Sequence, residues 1–242
     1  MKKWYFLSPL FLQKFIWIPT RIILSGLGRM EIIGLDNLRS VKSNAIFACN
    51  HSSEFDVFMV PGSLPFFSRF SPTFYTSRER SFYSNSGWRQ HFYGGVFFKA
   101  WGAYPVCVGL HDYDKSLVNH IDIIKSGGNL VMFPEGGTTK DGNFKPAKGG
   151  IIHLAAVTGR PIVPVYIGGT FRMNSAGFWK GHRRISISFG EPIYVPLKAG
   201  VVPSPDECKI QAQAVMDRMR SMKQKVTVIQ PVPVPVSAGI RA

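Results

Sequence analysis

The residues best placed to do chemistry are a histidine and an aspartate beside an apolar run. His51 follows the apolar segment 45–49, and Asp56 stands five positions after His51. Positions five apart on a regular helix point about 140° away from one another, so these side chains meet only if a turn separates them. The carboxylate would then fix the imidazole tautomer, and the other ring nitrogen would take a proton from a bound hydroxyl. A hydrogen-bonded structural histidine is the alternative, and the spacing alone does not decide.

The pair has no serine or cysteine nucleophile committed to it, which favours direct activation of a substrate hydroxyl. A second polar cluster follows the apolar segment 129–133. It combines one carboxylate, two glycines and two hydroxyls, with lysines soon after: Glu135, Gly136, Gly137, Thr138, Thr139, Lys140, Lys145 and Lys148. Glycines let a substrate approach the backbone closely, and exposed amides beside lysines suit a phosphate. An ordinary turn with solvated lysines is the alternative.

The charge balance indicates an anionic partner. The chain has 242 residues, with 29 Lys and Arg against 14 Asp and Glu, which leaves a formal net charge of +15. Lipid headgroups, an acidic acyl carrier or nucleic acid would fit that charge. The basic residues are scattered and no nucleic-acid motif is visible, so we expect a membrane surface and no nucleic acid.

The cysteines indicate neither disulfides nor a zinc site. Cys49, Cys107 and Cys208 are odd in number and far apart, without a C-x-x-C pair. A reducing compartment is therefore the default expectation. We expect no metal and no cofactor.

The N-terminal segment 1–28 is rich in aromatic and aliphatic residues and predicts contact with a membrane. Its helical pattern is interrupted by prolines and by polar or basic side chains, at Pro9, Gln13, Lys14, Pro19 and Arg21. These interruptions favour two short helices lying in the membrane interface. A single transmembrane helix, a signal peptide and a helix that covers the domain's own core are the alternatives.

Strands alternate with helices through 29–225, which we interpret as one domain. Apolar or alternating runs predict strands at 30–34, 45–49, 73–76, 103–106, 129–133, 161–167 and 184–189, the last of them half-buried. Helical spacing predicts helices at 57–60, between 111 and 126, at 149–158 and at 205–225. The pattern predicts a layered α/β fold with a mainly parallel mixed sheet flanked by helices. The Pro- and Val-rich tail 226–242 is predicted to be disordered.

Several blocks together resemble the glycerolipid acyltransferase family, which includes the 1-acylglycerol-3-phosphate (lysophosphatidate) acyltransferases. The family's N-H-x-S-x-x-D block is matched by Asn50, His51, Ser53 and Asp56. Its F-P-E-G block is matched by 133–136, and its apolar P-I-V-P-V strand by 161–165. The resemblance extends over about 30–195.

The resemblance implies a reaction and a site. His51 would be the general base and Asp56 its orienting carboxylate, and the acceptor hydroxyl would attack the thioester of an acyl-CoA or acyl-carrier-protein donor without an acyl-enzyme. The acceptor would be held by Glu135, Gly136, Gly137, Thr138 and Lys148. It further implies membrane lipids as partners and an active site that faces the cytoplasm.

The sequence departs from the family where the acceptor phosphate is expected to bind. Arginines usual in the second block and after the F-P-E-G glycine are absent: the segments read Gly-Ala-Tyr-Pro-Val-Cys-Val-Gly at 102–109 and Gly-Thr-Thr at 137–139. The expected acceptor is 1-acylglycerol-3-phosphate. The alternatives are a lyso-ornithine lipid, another lysophospholipid or a glycolipid, and beyond these a non-catalytic lipid-binding member of the fold or a thioester hydrolase.

Overall fold

The computed structural model describes residues 4–26, 29–79, 96–107, 109–110, 112–173, 184–196 and 201–229. The strands are β1 (Glu31–Ile33), β2 (Ile46–Cys49), β3 (Thr73–Ser77), β4 (Ala103–Pro105), β5 (Asn129–Met132), β6 (Ile162–Gly168) and β7 (Ser186–Phe189). The helices are α1 (Trp4–Gly26), α2 (Asp56–Ser63), α3 (Val96–Trp101), α4 (Tyr113–Ser116), α5 (Val118–Lys125), α6 (Gly150–Thr158) and α7 (Pro205–Ile229). A 3-10 helix spans Leu35–Ser40.

The described strands form one sheet in the order β1-β7-β6-β2-β5-β3-β4. Neighbouring strands run parallel except β6 and β7, which are antiparallel. Helices cover both faces, as a parallel sheet requires. The predicted layered α/β fold with a mainly parallel mixed sheet is therefore confirmed.

Strand β2 shows how the sequence divides the core. Every one of its residues is buried, and successive side chains point to opposite faces of the sheet. Phe47 packs in the cluster that includes Leu24 of α1 and Met59 of α2. Ile46 packs in the opposite cluster, which includes Ile152 of α6. An apolar run without alternation is the pattern of a strand with both faces covered.

Helix α1 is continuous, so the predicted pair of short helices is wrong. Pro9 and Pro19 both lie inside it. Tertiary contacts stabilise the helix against the loss of backbone hydrogen bonds at the prolines. The Gln13 side chain donates to the carbonyls of Thr73 and Trp101 at 2.7 and 3.0 Å and accepts from the Thr73 amide at 3.0 Å. Among the described residues, no helix has the length and hydropathy needed to cross a bilayer.

Other boundaries also differ from the sequence predictions. Helix α2 continues through Pro61, although we predicted its end before that residue. Strand β7 is fully buried rather than half-buried, because it lies between β1 and β6 and both of its faces are covered. The alternating serines of β7, Ser186 and Ser188, are therefore buried polar residues.

Helix α7 begins at Pro205 as predicted and ends later than predicted. The Ser204 hydroxyl accepts from the Glu207 amide at 3.3 Å, and the Glu207 carboxylate accepts from the Ser204 amide at 2.8 Å. This reciprocal pair is a capping box. The helix continues past Lys225 to Ile229, into the segment predicted to be disordered. Residues 230–242 lie outside the described part of the chain, and the predicted domain limits stay a prediction.

Candidate active site

The segments that follow β2, β5 and β6 meet at one edge of the sheet. These strands are adjacent and parallel, so their carboxyl ends lie side by side. His51 follows β2, Glu135 follows β5, and Thr170 follows β6. The carboxyl edge of a parallel sheet is where open α/β folds place their ligand sites.

The structure brings His51 and Asp56 into direct contact. The Nδ1 atom of His51 lies 3.0 Å from the Oδ2 atom of Asp56. Asp56 is the first residue of α2, and its Oδ2 also accepts from the backbone amides of Ser52 and Ser53 at 2.7 and 2.8 Å. The turn between the two residues thus wraps around the carboxylate and fixes its position. A fixed acceptor at Nδ1 leaves Nε2 as the ring nitrogen that can exchange a proton with a substrate.

A stacked ring and a carboxylate fix the orientation of His51 from the β5 side. The imidazole stacks on Phe133, with ring centroids 4.0 Å apart and an interplanar angle of 19°. The backbone amide of His51 donates to Oε1 of Glu135 at 3.0 Å, and its carbonyl accepts from the Thr139 amide at 2.9 Å. The backbone and ring of His51 are therefore held by the loop that follows β5.

Glu135 is buried and both of its oxygens accept from backbone amides. Oε1 accepts from His51 and Oε2 from Lys145, at 3.0 and 2.9 Å. Burial raises the pKa of this carboxyl above its ordinary 4.5, while the two amides act in the opposite direction. The carboxylate thus joins the loops after β2 and β5. Its contacts are those of a positioning residue, and the predicted role in binding the acceptor stays a prediction.

Cationic side chains gather around the turn of Gly136 and Gly137. Gly136 has φ +71°, and a Cβ there would lie 2.7 Å from Nζ of Lys148. Lys145 Nζ donates to the Gly137 carbonyl at 3.2 Å, and Arg78 Nη2 donates to the Gly136 carbonyl at 2.9 Å. The left-handed backbone favours glycine at this position, and the lysine side chain lies directly against it. Thr138, also predicted in the site, is exposed beside the turn.

Arg78 is the main residue that the sequence interpretation missed. It lies 58 positions before Gly136 in the chain and belongs to no motif considered. It directly follows β3, which pairs with β5 in parallel, so the sheet brings it to the same edge as Glu135. Its position after a strand was the signal that could have identified it.

Asn50 and Ser52 fasten the His51 loop to β6. The Asn50 side chain accepts from the Ile167 amide at 2.7 Å and donates to its carbonyl at 2.9 Å. The hydroxyls of Ser52 and Thr170 are 2.8 Å apart. The Asn of the first motif therefore extends the pairing of β2 with β6 beyond the end of β2.

A cavity of ≈ 330 Å³ opens beside His51. It is bounded by the loop 139–144, by the end of β6 with Tyr166, by Phe171, and by Lys223 of α7. Within the described residues no group of His, Cys, Asp and Glu side chains could hold a metal ion. The arrangement provides an oriented base, a cationic turn near it and an open cavity that the base lines.

A family model and curated relatives all match this chain to acyltransferases. A family model described as Acyltransferase matches residues 29–168. The chain is 27% identical over 176 residues to the chloroplastic 1-acyl-sn-glycerol-3-phosphate acyltransferase BAT2 of Brassica napus, covering 69% of this chain and 45% of that protein. It is 26% identical over 168 residues to the chloroplastic 1-acyl-sn-glycerol-3-phosphate acyltransferase LPAT1 of Arabidopsis thaliana, covering 69% and 44%. The chain thus spans about half the length of these curated relatives.

A solved structure is similar in fold. It is the 1-acyl-sn-glycerophosphate (LPA) acyltransferase PlsC of Thermotoga maritima, with a TM-score of 0.56 and 18% sequence identity. The match covers 87% of this chain and 81% of that one. The likeness supports the fold over nearly the whole chain.

Proposed function

The chain belongs to the Acyltransferase family, and from that premise we propose that it transfers an acyl group from a thioester donor to the hydroxyl of 1-acylglycerol-3-phosphate. The family expected from the sequence motifs is thereby confirmed. The observation that carries the proposal is the pair of His51 and Asp56, whose Nδ1 and Oδ2 atoms lie 3.0 Å apart, with His51 in the lining of a cavity. An imidazole oriented by a carboxylate is the device that general-base catalysis requires.

The proposed reaction needs only one base. Nε2 of His51 takes the proton of the acceptor hydroxyl while its oxygen forms a bond to the thioester carbonyl carbon. The tetrahedral intermediate then expels the thiolate as the carbon–sulfur bond breaks, and the imidazolium returns the proton to sulfur. Asp56 stabilises the imidazolium and keeps the tautomer. The negative charge that develops on the carbonyl oxygen requires hydrogen-bond donors such as backbone amides close to it.

The cationic turn supports a phosphate-bearing acceptor. Arg78 and Lys145 donate to the carbonyls of Gly136 and Gly137, and the Lys148 side chain lies beside Gly136. Positive side chains and a glycine turn suit a phosphomonoester. The family's usual arginines are absent from 102–109 and 137–139. Arg78, from another part of the chain, supplies a guanidinium near the same turn. The alternatives are acceptors without this phosphate: a lyso-ornithine lipid, another lysophospholipid or a glycolipid.

The assay that tests this function offers purified protein a panel of lyso-lipids with labelled acyl-CoA and labelled acyl-carrier protein. We expect labelled phosphatidate from 1-acylglycerol-3-phosphate, at a higher rate than any product from acceptors that lack the phosphomonoester. Acyl release without a lipid product would overturn the transfer reaction in favour of a thioester hydrolase. Donor binding without turnover of any acceptor would favour a non-catalytic lipid-binding protein.

We further propose that α1 lies on a membrane surface. Its exposed apolar side chains recur at helical spacing and form an outer stripe: Leu7, Phe11, Phe15, Ile18 and Ile22. Phe15 is 81% exposed, although the opposite side of the helix packs on the domain through Leu24. Such a helix, with one face on protein and an apolar face outward, suits the interface of a bilayer. That the active site faces the cytoplasm stays a prediction.

Flotation with liposomes tests the membrane contact. Replacing Phe11 and Phe15 together with serine should shift the protein from the lipid fraction to the aqueous fraction, because both side chains leave water on binding. Ile210→Ser is a matched control, since Ile210 is an exposed apolar residue on α7. Unchanged flotation of the double variant would contradict the proposed surface.

A further inference from the structure

We propose that the cavity beside His51 binds the 4′-phosphopantetheine arm shared by acyl-CoA and acyl-carrier protein, with Lys223 at its phosphate. The inference rests on the proposed acyl transfer and assigns one of the two substrates to a place in the site. It thereby names the chemistry of the donor rather than of the acceptor.

Two substrates must reach the same imidazole, and the structure offers them two different surroundings. The first is the turn of Gly136 and Gly137 with its cations, which suits the acceptor phosphate. The second is the cavity, whose wall is built by the loop 139–144, the end of β6 and helix α7. His51 lines this cavity, so a thioester held in it next to His51 would lie beside the base.

The lining of the cavity has the chemistry of an amide-containing chain. Aromatic faces come from Phe144, Tyr166 and Phe171, and the rings of Phe144 and Tyr166 lie 6.3 Å apart. Amide and hydroxyl groups of Asn143 and Thr139 lie among them. Pantetheine carries two amides separated by short apolar segments, which matches polar groups interleaved with aromatic surface. Hydrogen bonds to Asp141 hold the Asn143 amide and the Thr139 hydroxyl in place as a polar part of this wall, which suits a chain with amides better than a saturated acyl chain.

Charged residues in the cavity lining indicate which end of the cavity the phosphate of the arm would occupy. The carboxylate of Asp141 lines the cavity, and hydrogen bonds from Asn143 and Thr139 hold its pKa down to about 2, so it stays anionic at neutral pH. A phosphate is therefore disfavoured at that wall. Lys223 lies on the α7 wall, and Arg220 is close by, with their cationic groups 5.8 and 5.6 Å from the Phe144 ring centroid. The phosphate is expected on the α7 side.

The volume of the cavity limits the size of the group that it can hold. A cavity of ≈ 330 Å³ is near the lower end of the about 300 to 1,000 Å³ that ligand sites span. It fits one slender arm rather than a whole CoA molecule. The nucleotide of CoA or the body of a carrier protein would stay outside, which is why the structure favours the part that both donors share.

Steady-state kinetics with donors of graded length test the assignment. The donors are acyl-CoA, acyl-phosphopantetheine, acyl-pantetheine and acyl-carrier protein, with 1-acylglycerol-3-phosphate as acceptor. Lys223→Ala should raise the KM of each phosphate-bearing donor about tenfold, the scale of one charge-assisted hydrogen bond. The KM of acyl-pantetheine and of the acceptor should stay unchanged. The ratio of kcat/KM for acyl-CoA and acyl-carrier protein in the wild type identifies the preferred source of the arm.

The matched control is Lys225→Ala, which removes an exposed lysine of the same helix and should leave every KM unchanged. A larger KM for 1-acylglycerol-3-phosphate in Lys223→Ala, with donors unaffected, would overturn the assignment and give the cavity to the acceptor. An equal loss with acyl-pantetheine and acyl-phosphopantetheine would also overturn it, because the lysine would then not act on the phosphate.

Calorimetry separates this inference from the reaction itself. The His51→Ala protein, which is not expected to turn over, is titrated with phosphopantetheine and with pantetheine. We expect binding of the former about tenfold tighter than of the latter, and loss of that difference when Lys223→Ala is added. Equal binding of the two ligands by the His51→Ala protein would overturn the inference. An inactive wild type that shows the difference would leave the pocket assignment intact while refuting the transfer reaction.

Discussion

Two histidine–carboxylate pairs within the described residues have the same separation and opposite burial. His51 and Asp56 are joined at 3.0 Å, and so are His153 and Asp114. In the first pair the histidine side chain is 17% exposed and the aspartate 0%. In the second pair the histidine is 8% exposed and the aspartate 71%. In the first pair the buried Asp56 holds an imidazole that lines the cavity. In the second pair the exposed Asp114 lies over an imidazole that is buried.

The comparison teaches that a short distance does not make a catalytic pair. Asp56 is held by the amides of Ser52 and Ser53, so its position does not depend on the histidine. Asp114 belongs to a short surface helix, and its partner His153 sits on the buried helix α6 beside the Tyr113 ring. Catalysis requires an orienter that stays in place and a base that reaches solvent-borne substrate. The first pair meets both requirements.

The largest expected effect comes from replacing each histidine in turn. His51→Ala should lower kcat for acyl transfer by about 10² to 10⁴, the range for loss of a general base. His153→Ala should keep kcat and lower the free energy of unfolding by about 1 to 2 kcal/mol, because it removes a buried ring. Labelled-acyl assays and urea unfolding measure the two quantities. A loss of kcat in His153→Ala as large as in His51→Ala would break the comparison.

The carboxylates should differ almost as much. Asp56→Asn keeps the size of the side chain but removes the charge that stabilises the imidazolium, so kcat should fall by about 100-fold. Asp114→Asn is its matched control. Because Asp114 is exposed, that change should leave kcat unchanged and alter stability by less than about 0.5 kcal/mol. Equal kcat in the two variants would contradict a special role for the buried carboxylate.

Glu135→Gln tests how much the base depends on its support. A glutamine has one acceptor oxygen, so one of the amides of His51 and Lys145 would face an N–H group and lose its partner. The free energy of unfolding should fall by about 1 to 3 kcal/mol, and kcat should fall by less than in Asp56→Asn. Restored kcat in a stabilising osmolyte would show that Glu135 acts only through stability.

Burial also predicts how the Glu135 carboxyl responds to pH. Its folded-state pKa is raised above 4.5, so the folded chain binds the proton more tightly than the unfolded chain. The carboxyl therefore disfavours folding increasingly as the pH rises from 4.5 through the folded-state pKa. Urea unfolding across that window should show this slope in the wild type and its absence in Glu135→Gln.

A histidine with no carboxylate beside it gives the smallest effect at neutral pH. Buried His120 has the Tyr104 carbonyl 3.2 Å from its Nε2 atom, and burial lowers its pKa from 6.5 to about 4. Between these values the unfolded chain binds more protons, so stability should fall as the pH drops through that window. The difference corresponds to about 3 kcal/mol. His120→Gln should remove this acid sensitivity in pH-dependent unfolding, and an unchanged slope would contradict the assignment.

The central strands were predictable because their burial leaves a plain pattern. β2, β5 and β6 are surrounded on both faces, so each is a short apolar run. The continuity of α1 was not predictable, because the contacts of Gln13 with Thr73 and Trp101 come from 60 and 88 positions away. β7 was read as half-buried because its alternating serines are a surface pattern, and only the neighbouring strands bury them.

The same division holds for the site. His51 and Asp56 stand close together in the sequence, so local geometry and motif indicated their contact before the fold was known. The structural role of Glu135 required the folded loops, because its amide partners lie 84 positions before it and 10 after it. Arg78 could be identified only once the order of the strands was known, because the parallel pairing of β3 with β5 brings it to Gly136.

The side-chain amide of Gln13 donates to the backbone carbonyl of Thr73 and accepts from its backbone N–H, at the beginning of β3. Arg78 directly follows the other end of that strand. The outer surface of α1 and the cationic turn are thus connected by one short, hydrogen-bonded strand without an intervening hinge. If the outer stripe docks on a membrane as proposed, that contact would also set the height at which the guanidinium of Arg78 stands above the lipid surface.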